Sequence, residues 1–389
     1  MEIAPTINCS SELSLILLCA CTNPDEYRKK EIENIVASSI DWGVIYNQSL
    51  IHKVFPLLYN NIKSILPDYA SEETINKFKS TYLTNAKKNL RYAAFLVKLI
   101  NFLQSYDIAA VPFKGPVLAQ DMYNNIELRQ FSDLDILVST CDAVKAWNIL
   151  ENNGFQPELN LSNSQKLKYI KSEDHIPLSK NNICVELHWE MSGLYIQNPL
   201  VYEDISKNIT KIKFLNTKIS NLGLEHLLVY LCIHGAKHGW ENIESVSSIA
   251  SIIYKELNWK LVETISLKWK CHTILRLGLY LSWRLLNAPI PNDVIQTIKI
   301  DKTILKLYLE VISCLSINNT NLKAKDISDR FSLFHIRIRD SFADKLRYIF
   351  RLIFRSTDKE WLYYPVPGYL SFLHYFLRPY RLAITLFRK

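Results

Sequence analysis

Asp133 and Asp135 stand two residues apart in Phe131-Ser-Asp-Leu-Asp-Ile-Leu-Val138. On a strand, residues i and i+2 share a face, so the carboxylates project together from Cα atoms about 6.6 Å apart while Leu134 and Ile136 turn to the core. Two acids so placed suit a pair of shared divalent cations. A third acid on an adjacent antiparallel strand, about 4.8 Å away, would complete the cage, and Glu186 in Val185-Glu-Leu187 has the same apolar-acid-apolar form. Clustered carboxylates raise one another's pKa unless cations such as Mg²⁺ (or Mn²⁺) neutralise them, and a metal pair can hold a triphosphate for in-line attack. The same pattern also describes a half-buried strand capped by Asp133 with Glu186 in solvent.

Upstream, Phe113-Lys-Gly-Pro116 interrupts an apolar run. A strand-to-helix turn of this kind offers free N–H groups and a positive dipole end to phosphate, with Gly115 allowing close approach and Lys114 adding charge. It is equally the ordinary chemistry of a tight turn. Arg129 lies between the turn and the paired acids, able to reach a phosphate or to pair with a carboxylate. Further on, His226, Tyr230, His234 and Lys237 recur along one helical stripe, separate from the apolar face Leu224, Leu227, Leu228 and Leu231. One reading sets Lys237 on a phosphate and His234 or His238 on base, sugar or acceptor; the other leaves both histidines to helix-packing hydrogen bonds. The His234/His238 pair lacks the glutamate of a zinc-protease motif, and His188 reads as a packed strand-end histidine.

These residues need a scaffold. Residues 11–105 carry helical spacing, with Leu50, Val54, Leu57 and Leu58, then Leu90, Phe95, Leu96, Leu99 and Phe102 as apolar faces. Ile108–Phe113 and Leu134–Val138 read as strands, 117–124 and 141–152 as helices, the latter ending at Asn153-Gly154. His175–Ser179 and Ile183–Trp189 flank Asn181-Asn182 as a hairpin. From Leu222 helical spacing persists, broken at Pro289/Pro291, Asn318-Asn319 and Pro365/Pro367. The expected class is α+β: a small mixed sheet at 106–215, an N-terminal helical unit at 1–105, a C-terminal helical domain at 216–330 and a basic helical tail at 331–389.

The chain has 389 residues, 48% of them hydrophobic and 12% aromatic, with 9 Gly and 14 Pro, which excludes disordered and fibrous classes. Eight scattered cysteines form neither a zinc ribbon nor a disulfide framework. Leu13–Cys21 is apolar but lacks a basic flank, so it reads as a core helix, and no apolar run reaches the roughly 18 residues of a membrane span. Free thiols fit a reducing compartment, so a cytoplasmic location is expected. Of the net charge of +8, residues 331–389 hold +7. There Phe342, Leu346, Ile349, Phe350 and Ile353 form one face and Arg347, Arg351 and Arg355 another. Such a helix ordinarily buries its apolar face; it can also lie weakly on an anionic membrane or track a phosphate backbone. Nucleic acid is not an expected partner, since no RNP-like, KH or helix-turn-helix pattern is present.

Val111-Pro-Phe-Lys-Gly-Pro-Val-Leu118, Tyr123, Arg129, Ser132-Asp-Leu-Asp-Ile-Leu-Val138 and Val185-Glu-Leu-His-Trp189 together resemble the uncharacterised nucleotidyltransferase family within the DNA polymerase β-like superfamily. His234-Gly-Ala-Lys-His-Gly-Trp240 and the end segment from Trp361 through Leu377-Arg-Pro-Tyr-Arg381 extend the resemblance over most of the chain. It implies metal ligation by Asp133 and Asp135, a third acid in Glu186 that binds metal or activates the acceptor hydroxyl, and NTP phosphates beside Lys114 and Gly115. The implied reaction moves NMP from an NTP to an unidentified hydroxyl of a small molecule, glycan precursor or protein. Pro116 stands where the superfamily generally has Ser, and Ser247 and Ser248 where the family tends to have Asp. A catalytically reduced nucleotide-binding or regulatory protein on this scaffold is therefore the second reading.

Overall fold

The computed structural model describes residues 10–193, 195–198, 200–316 and 333–387. Helices α1 (Ser11–Leu18), α2 (Glu26–Val36) and α3 (Trp42–Ile51) each start on a side-chain cap, from Ser10, Asp25 and Asp41, which satisfies N–H groups the helix leaves free. With α4 (Phe55–Ile62) they close a core around Leu15, Ile45, Phe55 and Phe78. The 33-residue α5 (Glu72–Gln104) then runs behind the sheet. Its Ala93, Leu96, Leu99 and Leu103 join Leu134, Ile136 and Val185 in a second core. Leu90, placed on the apolar face by spacing, is instead 49% exposed. That turn of α5 faces away from the sheet, while Asn89 beside it is buried and hydrogen-bonded.

The sheet is mixed and five-stranded, in the order β1 (Ala110–Pro112), β2 (Asp133–Val138), β5 (Ile183–His188), β4 (His175–Lys180), β3 (Gln156–Pro157). Asn181 and Asn182 both adopt positive φ, 54° and 57°, and close the expected β4–β5 hairpin. One expectation is corrected: β5 runs parallel to β2, not antiparallel. After β2 the chain crosses through α7 (Ala143–Asn152) and α8 (Asn163–Ser172), returns along β4, and turns once more into β5. The register still sets Asp135 directly beside Glu186.

A second, two-stranded sheet of β6 (Ile209–Phe214) and β7 (Thr217–Leu222) follows the short α9 (Tyr202–Ile205). The sequence reading did not place this hairpin, although Lys211-Ile-Lys-Phe214 alternates polar and apolar residues. Helices α10 (Leu224–Lys237), α11 (Ile243–Ile253), α12 (Trp259–Lys268), α13 (His272–Leu286), α14 (Asn292–Lys299) and α15 (Lys302–Ser316) form the largest core, which also receives α1 and part of the region from β1 into α6 (Gly115–Tyr123) through Ile16, Phe113 and Leu118. The helical pattern breaks at Pro289/Pro291 and Pro365/Pro367 as expected; the break at Asn318-Asn319 lies outside the described residues. No helix among the described residues is long and apolar enough to cross a membrane.

The helix Phe342–Phe354 reverses the ordinary amphipathic arrangement. Phe342 is 74% exposed and Phe350 61%, whereas Arg347 pairs with buried Asp344 and Arg355 donates to the Ser172 carbonyl. Asp344 belongs to the helix itself; the surface beneath adds the Ile196 and Ser172 carbonyls and the Glu190 carboxylate near Arg351 and Arg355, so guanidinium groups find partners there and the apolar row is left outside.

Candidate active site

Polar side chains of α5 fix the approach to β2. Asn89 donates to the carbonyls of Ile126 and Arg129 at 2.7 Å each, Asn85 to that of Glu127 at 2.9 Å, and Tyr92 Oη to that of Ser132 at 3.0 Å. The loop before the paired acids has few ladder partners of its own, so these bonds set where Asp133 enters the sheet. On the other side, β1 feeds a turn at Lys114 and α6 (Gly115–Tyr123). Gly115 has φ +56°, and a Cβ there would stand 3.3 Å from the Asp133 carbonyl. Only glycine adopts this conformation cheaply while letting the turn press against β2.

Asp133, Asp135, Glu186, Lys114, Arg129, His234, Lys237 and His238 all line one cavity of about 290 Å³; Gly115 supports its wall from behind. Lys114 Nζ lies 2.5 Å from Asp135 Oδ1. His188 Nε2 lies 3.3 Å from the same oxygen and 3.2 Å from Glu186 Oε2. His188 is thus a member of the acid cluster and not merely a packed strand-end residue, because β5 puts it on Glu186's face two residues on. His175 stacks on it with ring centroids 4.8 Å apart, and Asp174 holds His175 Nδ1 at 3.0 Å.

Electrostatics follow from this packing. Burial pushes Asp135 up, but Lys114 and His188 outweigh it and hold the carboxyl far below the usual range. Burial and the neighbouring Asp135 charge raise Asp133. Glu186 is lowered despite burial by its bond to His188, and His188 is raised against burial to about 9 by Asp135 and Glu186. On the helical wall, burial pushes His234 well below its ordinary value and His238 down to about 4, with neighbouring lysines adding to the shift. Both are therefore neutral at pH 7, suited to hydrogen bonding and not to charge.

Arg129 takes the carboxylate reading: its Nε donates to Glu244 Oε1 at 2.6 Å, both side chains being buried. Glu244 opens α11 and also accepts from Ser248 at 2.7 Å. So α11 does bring an acid to the cavity, three residues before Ser247, whose own hydroxyl meets the Ala20 carbonyl. Tyr230, His234 and Lys237 reach the cavity, but His226 does not and packs on Trp269. It shares their face of α10 yet lies eight residues from His234, about 12 Å along the axis.

The sequence reading missed Lys53, Asp174, His175 and Glu244. Glu244 and Asp174 stand in no motif the spacing picks out, His175 read only as the start of a strand, and Lys53, in the α3–α4 turn with φ 58°, gave no chemical signal.

Ligand atoms of Asp135, Glu186 and His188 lie within 4.8 Å of one another, as do those of Asp174, His175 and His188; Asp133 lines the cavity without joining either group. Asp135 Oδ2 is buried with no hydrogen-bond partner among the described residues. An orphaned carboxylate oxygen beside a second carboxylate fits a hard divalent cation. A larger cavity of about 650 Å³ between α12, α13 and α14 holds no such cluster among the described residues.

A family model described as an uncharacterised nucleotidyltransferase matches residues 38–287. No curated protein and no solved structure matches the chain.

Proposed function

We propose, since the chain belongs to the uncharacterised nucleotidyltransferase family, that it moves a nucleoside monophosphate from an NTP to a hydroxyl acceptor and releases pyrophosphate. The observation that most supports this reading is the convergence of Asp133 and Asp135 on β2 with Glu186 in register on β5, all in one cavity that also holds Lys114. Acids alone would suit many cation sites. Acids beside several cations suit a substrate that carries both metal and phosphate charge.

In this reading the acceptor oxygen forms a bond to the α-phosphorus, the bond from that phosphorus to the β-phosphate bridging oxygen breaks, and the electron pair leaves with pyrophosphate. Asp133, Asp135 and Glu186 would hold Mg²⁺ or Mn²⁺, which when bound supplies Lewis-acid stabilisation of phosphoryl oxygens. In this reading Glu186, whose side chain is 25% exposed against 1% for Asp135, takes the acceptor's proton. Pro116 removes one N–H from the start of α6, so phosphate charge falls on side chains. Lys114 is paired at close range with Asp135 and Arg129 with Glu244, whereas Lys237 is 44% exposed and only 3.9 Å from Asp174, so it and Lys53, both lining the cavity, are the more accessible cations for the triphosphate tail. Neutral His234 and His238 offer hydrogen bonds to sugar, base or acceptor.

The second reading, nucleotide binding without turnover, draws on the Lys114–Asp135 pair, in which the ammonium takes a place on the carboxylate that a metal would need. Calorimetric titration of each of the four NTPs with Mg²⁺, with EDTA, and into Asp135→Ala separates the two when combined with a pyrophosphate assay. Metal-dependent binding that needs Asp135 and yields pyrophosphate with an acceptor supports transfer. The same binding with no product across an acceptor screen selects the second reading, and no binding at all removes both.

A further inference from the structure

Two residues beyond Glu186 on β5, His188 turns the same way into the acid cluster. Its Nε2 lies 3.3 Å from Asp135 Oδ1 and 3.2 Å from Glu186 Oε2. Two donors that each stand about 2.1 Å from one cation are about 3.0 to 3.4 Å apart when the angle between them is about 90 to 110°. The imidazole nitrogen therefore occupies the place of a further ligand to an ion held by these two acids. Asp133 stands outside this group. The His188 ring is also fixed in orientation. Its Nδ1 lies 3.4 Å from the Glu190 carbonyl oxygen, which by accepting the proton there turns Nε2 to the acids. Phe113 packs edge-on with ring centres 5.1 Å apart, and on the other side stacked His175 is itself held by Asp174.

We infer that His188 is a cation ligand, closing with Asp135 and Glu186 a site of two carboxylates and one imidazole nitrogen that takes a first-row transition ion such as Mn²⁺ in preference to Mg²⁺. Mg²⁺ keeps to oxygen donors and gives up water reluctantly, whereas an imidazole suits transition ions. Asp135 Oδ2, buried and without a hydrogen-bond partner among the described residues, leaves that carboxylate a second oxygen for the ion. His188 and Lys114 supply the positive charge beside these acids; a divalent cation takes over that role, and the Nε2 proton leaves to solvent as the nitrogen–metal contact forms. Asp174, His175 and His188 also have ligand atoms within reach of one another. There, however, Asp174 Oδ1 is taken by His175, and Oδ2 faces Lys237 at 3.9 Å, so no carboxylate oxygen is left over. The inference rests on the proposed reaction only in sharing its cation site.

Pulsed EPR of Mn²⁺ added alone to the full chain tests it, with competition by Mg²⁺. The expected result is stoichiometric Mn²⁺ showing the nitrogen coupling of a coordinated imidazole, displaced only by at least about tenfold more Mg²⁺. His188→Gln keeps a side chain of similar reach and a hydrogen-bonding amide; it should lose the nitrogen coupling and weaken Mn²⁺ binding at least about tenfold, with the circular dichroism of the parent. His175→Phe preserves the stack and should retain both the coupling and the affinity. Bound Mn²⁺ with oxygen donors alone overturns the inference, as does absence of bound Mn²⁺, and both are read on the parent chain whatever the variants do. Equal affinity for the two ions overturns the metal preference. A nitrogen coupling that survives Glu186→Gln and is lost in His175→Phe overturns the ligand set and moves the ion to Asp174, His175 and His188. Nitrogen coupling without pyrophosphate release across an acceptor screen upholds the ligand and removes the reaction, whereas release at an ion with oxygen donors alone does the reverse.

Discussion

Asp135→Asn keeps shape and removes one charge from the centre of the acid cluster. Lys114 Nζ, whose side chain is 13% exposed, stands 2.5 Å from Asp135 Oδ1. At an effective dielectric of about 20, that separation corresponds to about 7 kcal/mol of gross attraction. Desolvation cancels part of it, and removing one partner of a buried pair costs about 3–5 kcal/mol because the other charge stays buried. With a urea dependence of about 3 kcal/mol per molar, the midpoint should fall by about 1 to 1.7 M. Lys114→Met/Asp135→Asn removes both charges and should recover most of that loss. The single variant should also relax His188, now held at about 9 against burial by its bonds to Asp135 and Glu186, so that its ring titrates at lower pH by NMR. Pyrophosphate release should fall at least about 10³-fold in both variants, equivalent to about 4 kcal/mol of barrier. A single variant as stable as the parent would refute the ion pair, and one with full turnover would remove Asp135 from the chemistry.

Arg129→Met leaves Glu244 buried with only the Ser248 hydroxyl, so it should destabilise by about 3–5 kcal/mol, while Arg129→Met/Glu244→Gln recovers most of this; equal urea midpoints for parent and single variant would deny the pair its structural part. Burial pushes His52, His238 and His335 down to about 4, aided at His238 by Lys237 and at His335 by Arg339. Each is neutral in the fold and takes a proton more readily when unfolded. The contribution of these three histidines is therefore full above about pH 6.5 and declines as pH falls toward 4, by up to about 1.4 kcal/mol per pH unit for each, while Glu190, pushed up to about 7 by burial, acts in the opposite direction over the same window. Urea midpoints of parent and His52→Gln between about pH 7 and 4.5 isolate the histidine's share, the variant losing less stability as pH falls, and parallel profiles would refute it.

That Asp133, Asp135 and Glu186 would line one cavity was legible because alternation along a strand fixes which side chains share a face, whatever the sheet around them. The Gly115 turn, the Asn181-Asn182 hairpin and the prolines that end helices were legible for the same reason: each is a constraint on the local backbone. The direction of β5 was not, since a strand's sequence carries no record of whether its neighbour runs with it or against it. Nor could spacing tell that His188 would bridge two acids, that Arg129 would meet Glu244 across 115 positions, or that Lys53 of the N-terminal unit would reach the cavity. The helix Phe342–Phe354 shows the division most clearly. Its sequence determined two opposed faces, one apolar and one basic; which of them turned inward was decided by the carboxylates and carbonyls of the surface it met, because a buried guanidinium needs partners that only the folded body supplies.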